Sequence, residues 1–285
     1  MKKLLLASVA AGALSLAGAA NAADLRMPLK APPPPAPVFS WSGCYVGAHW
    51  GWGWGKFRGS AFTTASHFAT TTLANGAGFD NSISGPLFGG QLGCNYQWPG
   101  SQFVLGIDGS IAGADINGQR DRTVLLPFTD VTDFASGSVQ TKIDSLASIT
   151  GRIGWAGTGI FGNNNVLWYF KGGWAWANAR TNLSISALDS SGSPFFGPVN
   201  ASFSGSRNGW TVGGGLEWAL SFAPQASVFL EYDHYEFNHK DTIFNGSICG
   251  GCFSTTTSID LQLHPRVDTV KIGVNYRLFG GSYGP

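Results

Sequence analysis

Charge is scarce in this chain: Asp, Glu, Lys and Arg make up 12% of 285 residues, about half the usual share of a soluble domain. The formal net charge of +1 provides no basic stripe, which excludes a nucleic-acid surface and leaves nucleic acid out of the expected partners. Long hydrophobic runs are missing as well. Past the N-terminal leader no segment reaches the ~18 apolar residues that a membrane-crossing helix requires. There is no phosphate loop either. In "GWGWGK" the motif's first glycine would fall on Trp50, and Phe57 follows Lys56 where Ser or Thr is needed. No Ser/His/Asp constellation stands at a telling spacing; His234 and His239 beside Asp233 come nearest. The expectation is a non-enzyme with no catalytic residues, no cofactor and no metal.

What the chain does have is glycine and large aromatics: 41 Gly, 11 Trp and 20 Phe. Its first residues read as an address. Lys2 and Lys3 form a basic head, "LLLASVAAGALSLAG" an apolar stretch, and Ala20-Asn21-Ala22 a small-x-small cleavage site. Residues 1–22 are therefore expected to be a signal peptide, with export to follow. Residues 23–40 carry the proline cluster "PLKAPPPPAP", which favours extended polyproline II and suits a periplasmic spacer.

From Trp41 onward a period of two takes over. "CYVGAHWGWGWGKF" puts Cys44, Val46, Ala48, Trp50, Trp52 and Trp54 on one face, and Tyr45, His49 and four glycines on the other. A helix would scatter those tryptophans around its circumference, so the stretch is a strand. The pattern returns in "LFGGQLGCNYQW", "FVLGIDGSI", "SITGRIGW", "WYFKGGWAWA", "WTVGGGLEWAL", "VFLEYDHYEF" and "TVKIGVNYRL", for eight strands in all. Long polar stretches (about Gly59–Gly85, Ala114–Asp144, Asn178–Ser206 and Asn238–His264) alternate with short turns such as "PGSQ" and "SFAPQA". That is the plan of an all-β, eight-stranded antiparallel transmembrane β-barrel of the outer-membrane type, set over residues 41–279 with a short tail at 280–285.

A soluble lipocalin-type barrel alternates too, but shows its charges outward. Here the polar rows hold mainly Gly, Ala, Ser, Thr, Asn and Gln, which suits a narrow interior. The tryptophans gather toward strand ends, as interfacial belts do. The expected aromatic girdle is Trp50, Trp52, Trp54, Trp98, Trp155, Trp168, Trp174, Trp176, Trp210 and Trp218. If the polar rows face inward, the lumen carries Asp108, Arg152, Lys171, Glu217, Glu231, Asp233, Lys271 and Arg277, four acidic and four basic. An eight-stranded barrel leaves room for little but side chains. Charges there must pair, which favours a packed ionic plug over a narrow porin passing ions or small solutes.

"WSGCYVGAHWGWGWG", "GGQLGCNYQW", "GWTVGGGLEWAL", "LEYDHYEF" and "VKIGVNYRLF" together resemble the small outer-membrane β-barrel surface antigens of alphaproteobacteria, the outer membrane immunogenic or porin-family proteins that share the OmpA barrel architecture. The resemblance covers about Trp41 to Phe279 and is negligible in the long loops. It implies an integral, surface-exposed protein of the bacterial outer membrane with a structural and surface-interaction role, as antigen or adhesin. Its implied partners are outer-membrane lipid, the barrel-assembly machinery and a host or surface ligand reached through the loops. The family pattern has no common catalytic residues to carry over.

Where that family commonly has aromatics, this chain has Cys44 and Cys94, both on the outward parity of successive strands. They can form a cross-strand pair or stand as two lipid-facing thiols. Cys249 and Cys252 in "ICGGCF" suggest a loop-closing disulfide; as zinc ligands they would need His239 or His264, and one CxxC in an exported chain is a weak metal signal. The last strand resembles the signal by which the assembly machinery selects its substrates, with Lys271, Gly273, Tyr276 and Leu278 in place, although "GGSYGP" follows the final aromatic. Replacing Tyr276 and Leu278 with Asp is expected to abolish outer-membrane insertion. A heat-modifiable barrel surviving in the membrane fraction would refute that assignment.

Overall fold

The computed structural model describes residues 39–65, 78–126, 133–157, 165–188, 199–238, 242–247 and 256–280. The strands are β1 (Gly43–Ala65), β2 (Gly78–Gln97), β3 (Phe103–Leu126), β4 (Asp133–Gly157), β5 (Val166–Leu188), β6 (Val199–Leu220), β7 (Ala223–Phe237), β8 (Thr242–Ser247) and β9 (Thr256–Gly280). From β1 to β7 each strand pairs antiparallel with the next; β7 then pairs with β9, and β9 returns to β1. The result is a closed ring of eight staves with no open edge. The ninth strand, β8, pairs only with Thr256–Leu261 of β9, beyond the point where β7 stops, and so prolongs the β7 stave.

Burial follows the sequence parity around the ring. Tyr45, His49 and Phe57 of β1 are buried, whereas Val46, Trp50, Trp52 and Trp54 between them are exposed. The outer wall is strongly apolar: Phe170 is 72% exposed, Leu92 68% and Phe88 67%. A continuous wall of that kind is incompatible with water and fits hydrocarbon. Two aromatic belts bound it. Trp155 and Trp168 are register partners near one end, and Trp174 and Trp210 are register partners near the other. Trp98 and Trp218 join the first belt and Trp52 and Trp54 the second; Trp176 is half-buried.

The strands run farther than the sequence pattern indicates. Most hold 20–25 residues, against the ~9–11 that cross a bilayer. Pairing persists to Ala65, Leu126 and Leu188 and resumes at Gly78, Asp133, Val199 and Thr256, well inside the stretches expected to be loops. Above the bilayer both faces of a strand meet polar surroundings, so the alternation fades while the hydrogen-bonded ladder continues. A bulge at Asp144 of β4 also shifts the parity: Leu146, Ser148, Thr150 and Arg152 face inward below it, Thr141 and Ile143 above it.

Glycine in the inner rows makes room for the lumen contents. A Cβ on Gly51 would lie 2.9 Å from Cγ of Lys271, and one on Gly213 would collide with the Asp233 carboxylate. At the opposite wall surface, Cys44 and Cys94 are direct register partners and form a disulfide, with Cα atoms 4.0 Å apart. It joins residues 50 apart in sequence, and the chain-entropy account gives such a link about 4 kcal/mol. Cys249 and Cys252 lie outside the described residues. Under non-reducing conditions the proteolytic peptides holding Cys44 and Cys94 are expected to travel as one linked species and to separate on reduction; two free alkylatable thiols would contradict the bond.

Candidate functional site: the lumen network

Between the two mouths lies a layer of buried polar side chains. Asp108, Arg152, Lys171, Glu217, Glu231, Asp233, Lys271 and Arg277 are each no more than 4% exposed. Lys171 Nζ lies 2.8 Å from Glu231 Oε1, 3.5 Å from Asp233 Oδ1 and 3.7 Å from Asp108 Oδ1. Lys271 Nζ approaches the same Glu231 oxygen at 2.8 Å and Asp233 Oδ2 at 2.5 Å. Arg152 donates from Nη2 to Glu217 Oε2 at 2.9 Å and from Nη1 to the Tyr45 hydroxyl at 2.9 Å. That hydroxyl donates to Asp108 Oδ2 at 2.8 Å, which ties the two ionic groups together.

Neutral side chains complete the layer. Glu217 Oε1 accepts from Ser227 Oγ at 2.6 Å and from Asn275 Nδ2 at 3.0 Å. Asn275 Oδ1 in turn accepts from Gln91 at 2.8 Å. The Tyr169 hydroxyl donates to Glu231 Oε2 at 2.9 Å, and its ring lies 3.5 Å below the Arg152 guanidinium. Counting members by strand gives Tyr45 on β1, Gln91 on β2, Asp108 on β3, Arg152 on β4, Lys171 on β5, Glu217 on β6, Glu231 on β7 and Lys271 on β9. Every stave of the ring contributes to one connected network.

Arg277 stands apart from the ion pairs. Its guanidinium sits 4.4 Å from the ring centroids of both Phe39 and Trp41, a cation resting on an aromatic pair. Phe39 and Trp41 pack edge to face at 5.1 Å, and with Val104, Ala156, Leu167, Tyr169 and Ala219 they close the lumen beneath the charges. The buried interior thus reaches back to Phe39, in the segment assigned by composition to the proline-rich lead. On the other side of the charges, Phe57, Ile116, Ile143, Leu146, Tyr235, Phe237 and Val267 belong to a second apolar cluster. The lumen is layered: apolar, ionic, apolar.

Tyr45, Tyr169, Gln91 and Asn275 were not singled out by charge, although all four share the inner parity that marks the network. The residues on the outward parity do something else. His234 Nδ1 meets Asp268 Oδ1 at 2.7 Å on the wall, while its sequence neighbour Asp233 points inward; the chain adjacency of the two builds no shared site. His239 lies outside the described residues. Of the terminal-strand quartet, Lys271 faces the lumen, while Tyr276 and Leu278 are exposed on the wall and the Tyr276 hydroxyl donates to Gln225 at 2.6 Å. Gly273 is held by space: a Cβ there would lie 2.5 Å from the Phe229 ring.

Removing one partner of a buried ion pair leaves an uncompensated charge, with a destabilisation of about 3–5 kcal/mol. Glu231→Gln, which strips a carboxylate from between Lys171 and Lys271, is expected to lower the barrel's unfolding temperature in detergent sharply. Arg152→Gln with Glu217→Gln is expected to lose less than the sum of the single changes, because the double variant leaves no unpaired charge. Additive losses would mean that the pair is not coupled.

Residues 7–277 match the family described as the outer membrane protein beta-barrel domain. The chain is 26% identical over 280 residues to the 31 kDa outer-membrane immunogenic protein of Brucella melitensis, covering 97% of this chain and 100% of the relative, and the Brucella suis protein matches equally. Among solved structures, the outer membrane protein OprG of Pseudomonas aeruginosa is similar at 11% identity and a TM-score of 0.39, over 83% of this chain and 97% of that one. Ail, the attachment invasion locus protein of Yersinia pestis, is similar at 14% identity and a TM-score of 0.31, over 81% and 99%. With its closed ring of antiparallel strands and a match over nearly its whole length, this chain belongs to the outer membrane protein β-barrel domain family and is a protein of the bacterial outer membrane.

Proposed function

We propose that this protein is a closed, non-conducting barrel that serves the envelope as a structural element and presents its loops as an antigenic or adhesive surface. The observation that supports this reading is the lumen network. Opposite charges from six of the eight staves are matched there, neutral Tyr45 and Gln91 join from the other two, and apolar clusters lie on both sides. An ion crossing this layer would have to displace Lys171 or Lys271 from carboxylates 2.8 Å away, in a medium where an unpaired charge is several kcal/mol unfavourable. The same charges hold the wall rigid, and a rigid wall suits variable loops that carry binding. The name of the Brucella relatives, an immunogenic outer-membrane protein, points the same way.

On this reading the barrel has no turnover of its own. Its partners are the lipid that surrounds the apolar wall, the machinery that inserts it, and a ligand of the surface loops. Purified protein in a planar bilayer is expected to give no steady conductance at either polarity. Stable, sizeable current steps from pure protein would replace this reading with that of a narrow porin.

A further inference from the structure

Each stave has a neighbour on both sides, but not along its whole length. β6 pairs with β5 as far up as Val199, whereas its ladder with β7 ends at Gly209. The last link on that side is the Asn238 amide, which donates to the Asn208 carbonyl at 2.9 Å. β8, which prolongs the β7 stave, pairs with β9 alone. Residues 199–207 of β6 therefore stand above the second aromatic belt with one side of their ladder unused among the described residues. Backbone groups alternate along a strand, and the Asn208 bond sets the phase. The N–H and C=O groups of Asn200, Ser202, Ser204 and Ser206 turn to the unused side. Such a row is a template for one more strand.

Two inward positions on this stretch select the strand that fits. Arg207 shares the inner parity of Gly209 and Thr211, stands beside Ala177 of β5, and is half-buried. Its Nη1 is buried without a hydrogen-bond partner, and among the described residues no carboxylate pairs with it. Two residues up, a Cβ on Gly205 would meet nothing within 4 Å. Lower on the same strand, inward glycines stand opposite large or charged β7 residues: Gly209 opposite Phe237, Gly213 opposite Asp233 and Gly215 opposite Glu231. Gly205 continues that row above the end of β7, with room for the side chain that a further strand would bring.

We propose that the unused side of β6 takes up an extended acidic segment of a partner protein as an antiparallel strand in line with β7. The segment carries a carboxylate opposite Arg207 and, two residues on, a large apolar side chain opposite Gly205, so that Glu-x-Phe is its simplest form. Main-chain hydrogen bonds to residues 200–206 hold it, and the two inward positions select it. A second copy of this chain pairing through the same stretch does not meet the requirement, because residues 199–208 contain no carboxylate to offer Arg207. The proposal rests on the reading of the loop end as an adhesive surface, names the class of its ligand, and is independent of whether the lumen conducts.

The test is binding of a fluorescent peptide, Glu-x-Phe flanked by alternating Thr and Val, to the purified, folded barrel in detergent, read by anisotropy with amide hydrogen exchange of β6 followed alongside. Binding is expected to saturate at one peptide per barrel and to protect the amides of Ser202, Ser204 and Ser206. Changing the peptide's Glu to Gln, or Arg207→Gln in the barrel, is expected to weaken binding about tenfold or more, as for a lost charge-assisted hydrogen bond. N-methylating the residue between Glu and Phe, whose N–H points at β6, is expected to abolish binding; N-methylating the Phe, whose N–H points away, is expected to preserve it. Ser204→Pro removes a donor from the unused side, leaves the β5 ladder in place, and is expected to weaken binding as well. Arg180→Gln, at the Arg180–Asp144 pair on the outward face of β5, should leave it unchanged. Heat-modifiable migration confirms that each variant is folded. No binding of the acidic peptide by the unaltered barrel, equal binding by Arg207→Gln, or indifference to which amide is methylated would each overturn the proposal. A dimer of the barrel that is lost in Ser204→Pro would overturn it too, by giving the stretch to a second copy. Conductance recorded on the same preparations separates any of these failures from failure of the closed-barrel reading.

Discussion

The rest of this structure depends on the pairing of charge inside a wall too narrow to hold water around it. Eight staves enclose a space filled by side chains, and eight charged residues point into it. None can be solvated there, so each must find an opposite charge, a hydrogen-bond donor or an aromatic face. Lys171 and Lys271 share Glu231 and Asp233; Arg152 takes Glu217; Arg277 rests against two rings. Because the partners sit on different strands, satisfying the charges also fixes the strands against one another.

That constraint explains the composition. A row of large side chains opposite Lys271 or Asp233 would leave no room for the ion pairs, and the inner positions facing them are Gly51 and Gly213. The tryptophans occupy the alternate positions of the same strands because the outer solvent is hydrocarbon bounded by an interface. Glycine and tryptophan therefore alternate in β1 for one reason seen from two sides. The low overall charge follows as well: an apolar wall has no place for ions, and the lumen accepts only those it can pair or seat against an aromatic ring.

The period of two is a property of the backbone, so strand count, antiparallel order and the face of each side chain in the bilayer were legible in the sequence. So was the opposition of Cys44 and Cys94, which needs only parity and neighbouring strands. Features that break or outlast the pattern were not. The bulge at Asp144 reverses parity without a glycine or proline to announce it. Pairing from Gly59 to Ala65 and from Thr256 to His264 continues where the two faces no longer differ in solvent, so hydropathy gives no contrast there. The bridging roles of Tyr45 and Tyr169 depend on which inner residues meet across the lumen. That is set by the stagger of the ring, and no single strand contains it. Phe39 reads as the end of a proline-rich lead, yet it packs under Arg277 because an aromatic face is what that cation lacks.

The central claim is that the lumen is closed by this network, and a crystal structure at a resolution that reveals ordered water tests it most directly. The account predicts isolated waters at most, with Lys171, Lys271 and Arg152 in direct contact with their carboxylates and no water file joining the two mouths. A continuous chain of water molecules passing between Glu231 and Glu217, with the ion pairs opened around it, would contradict it.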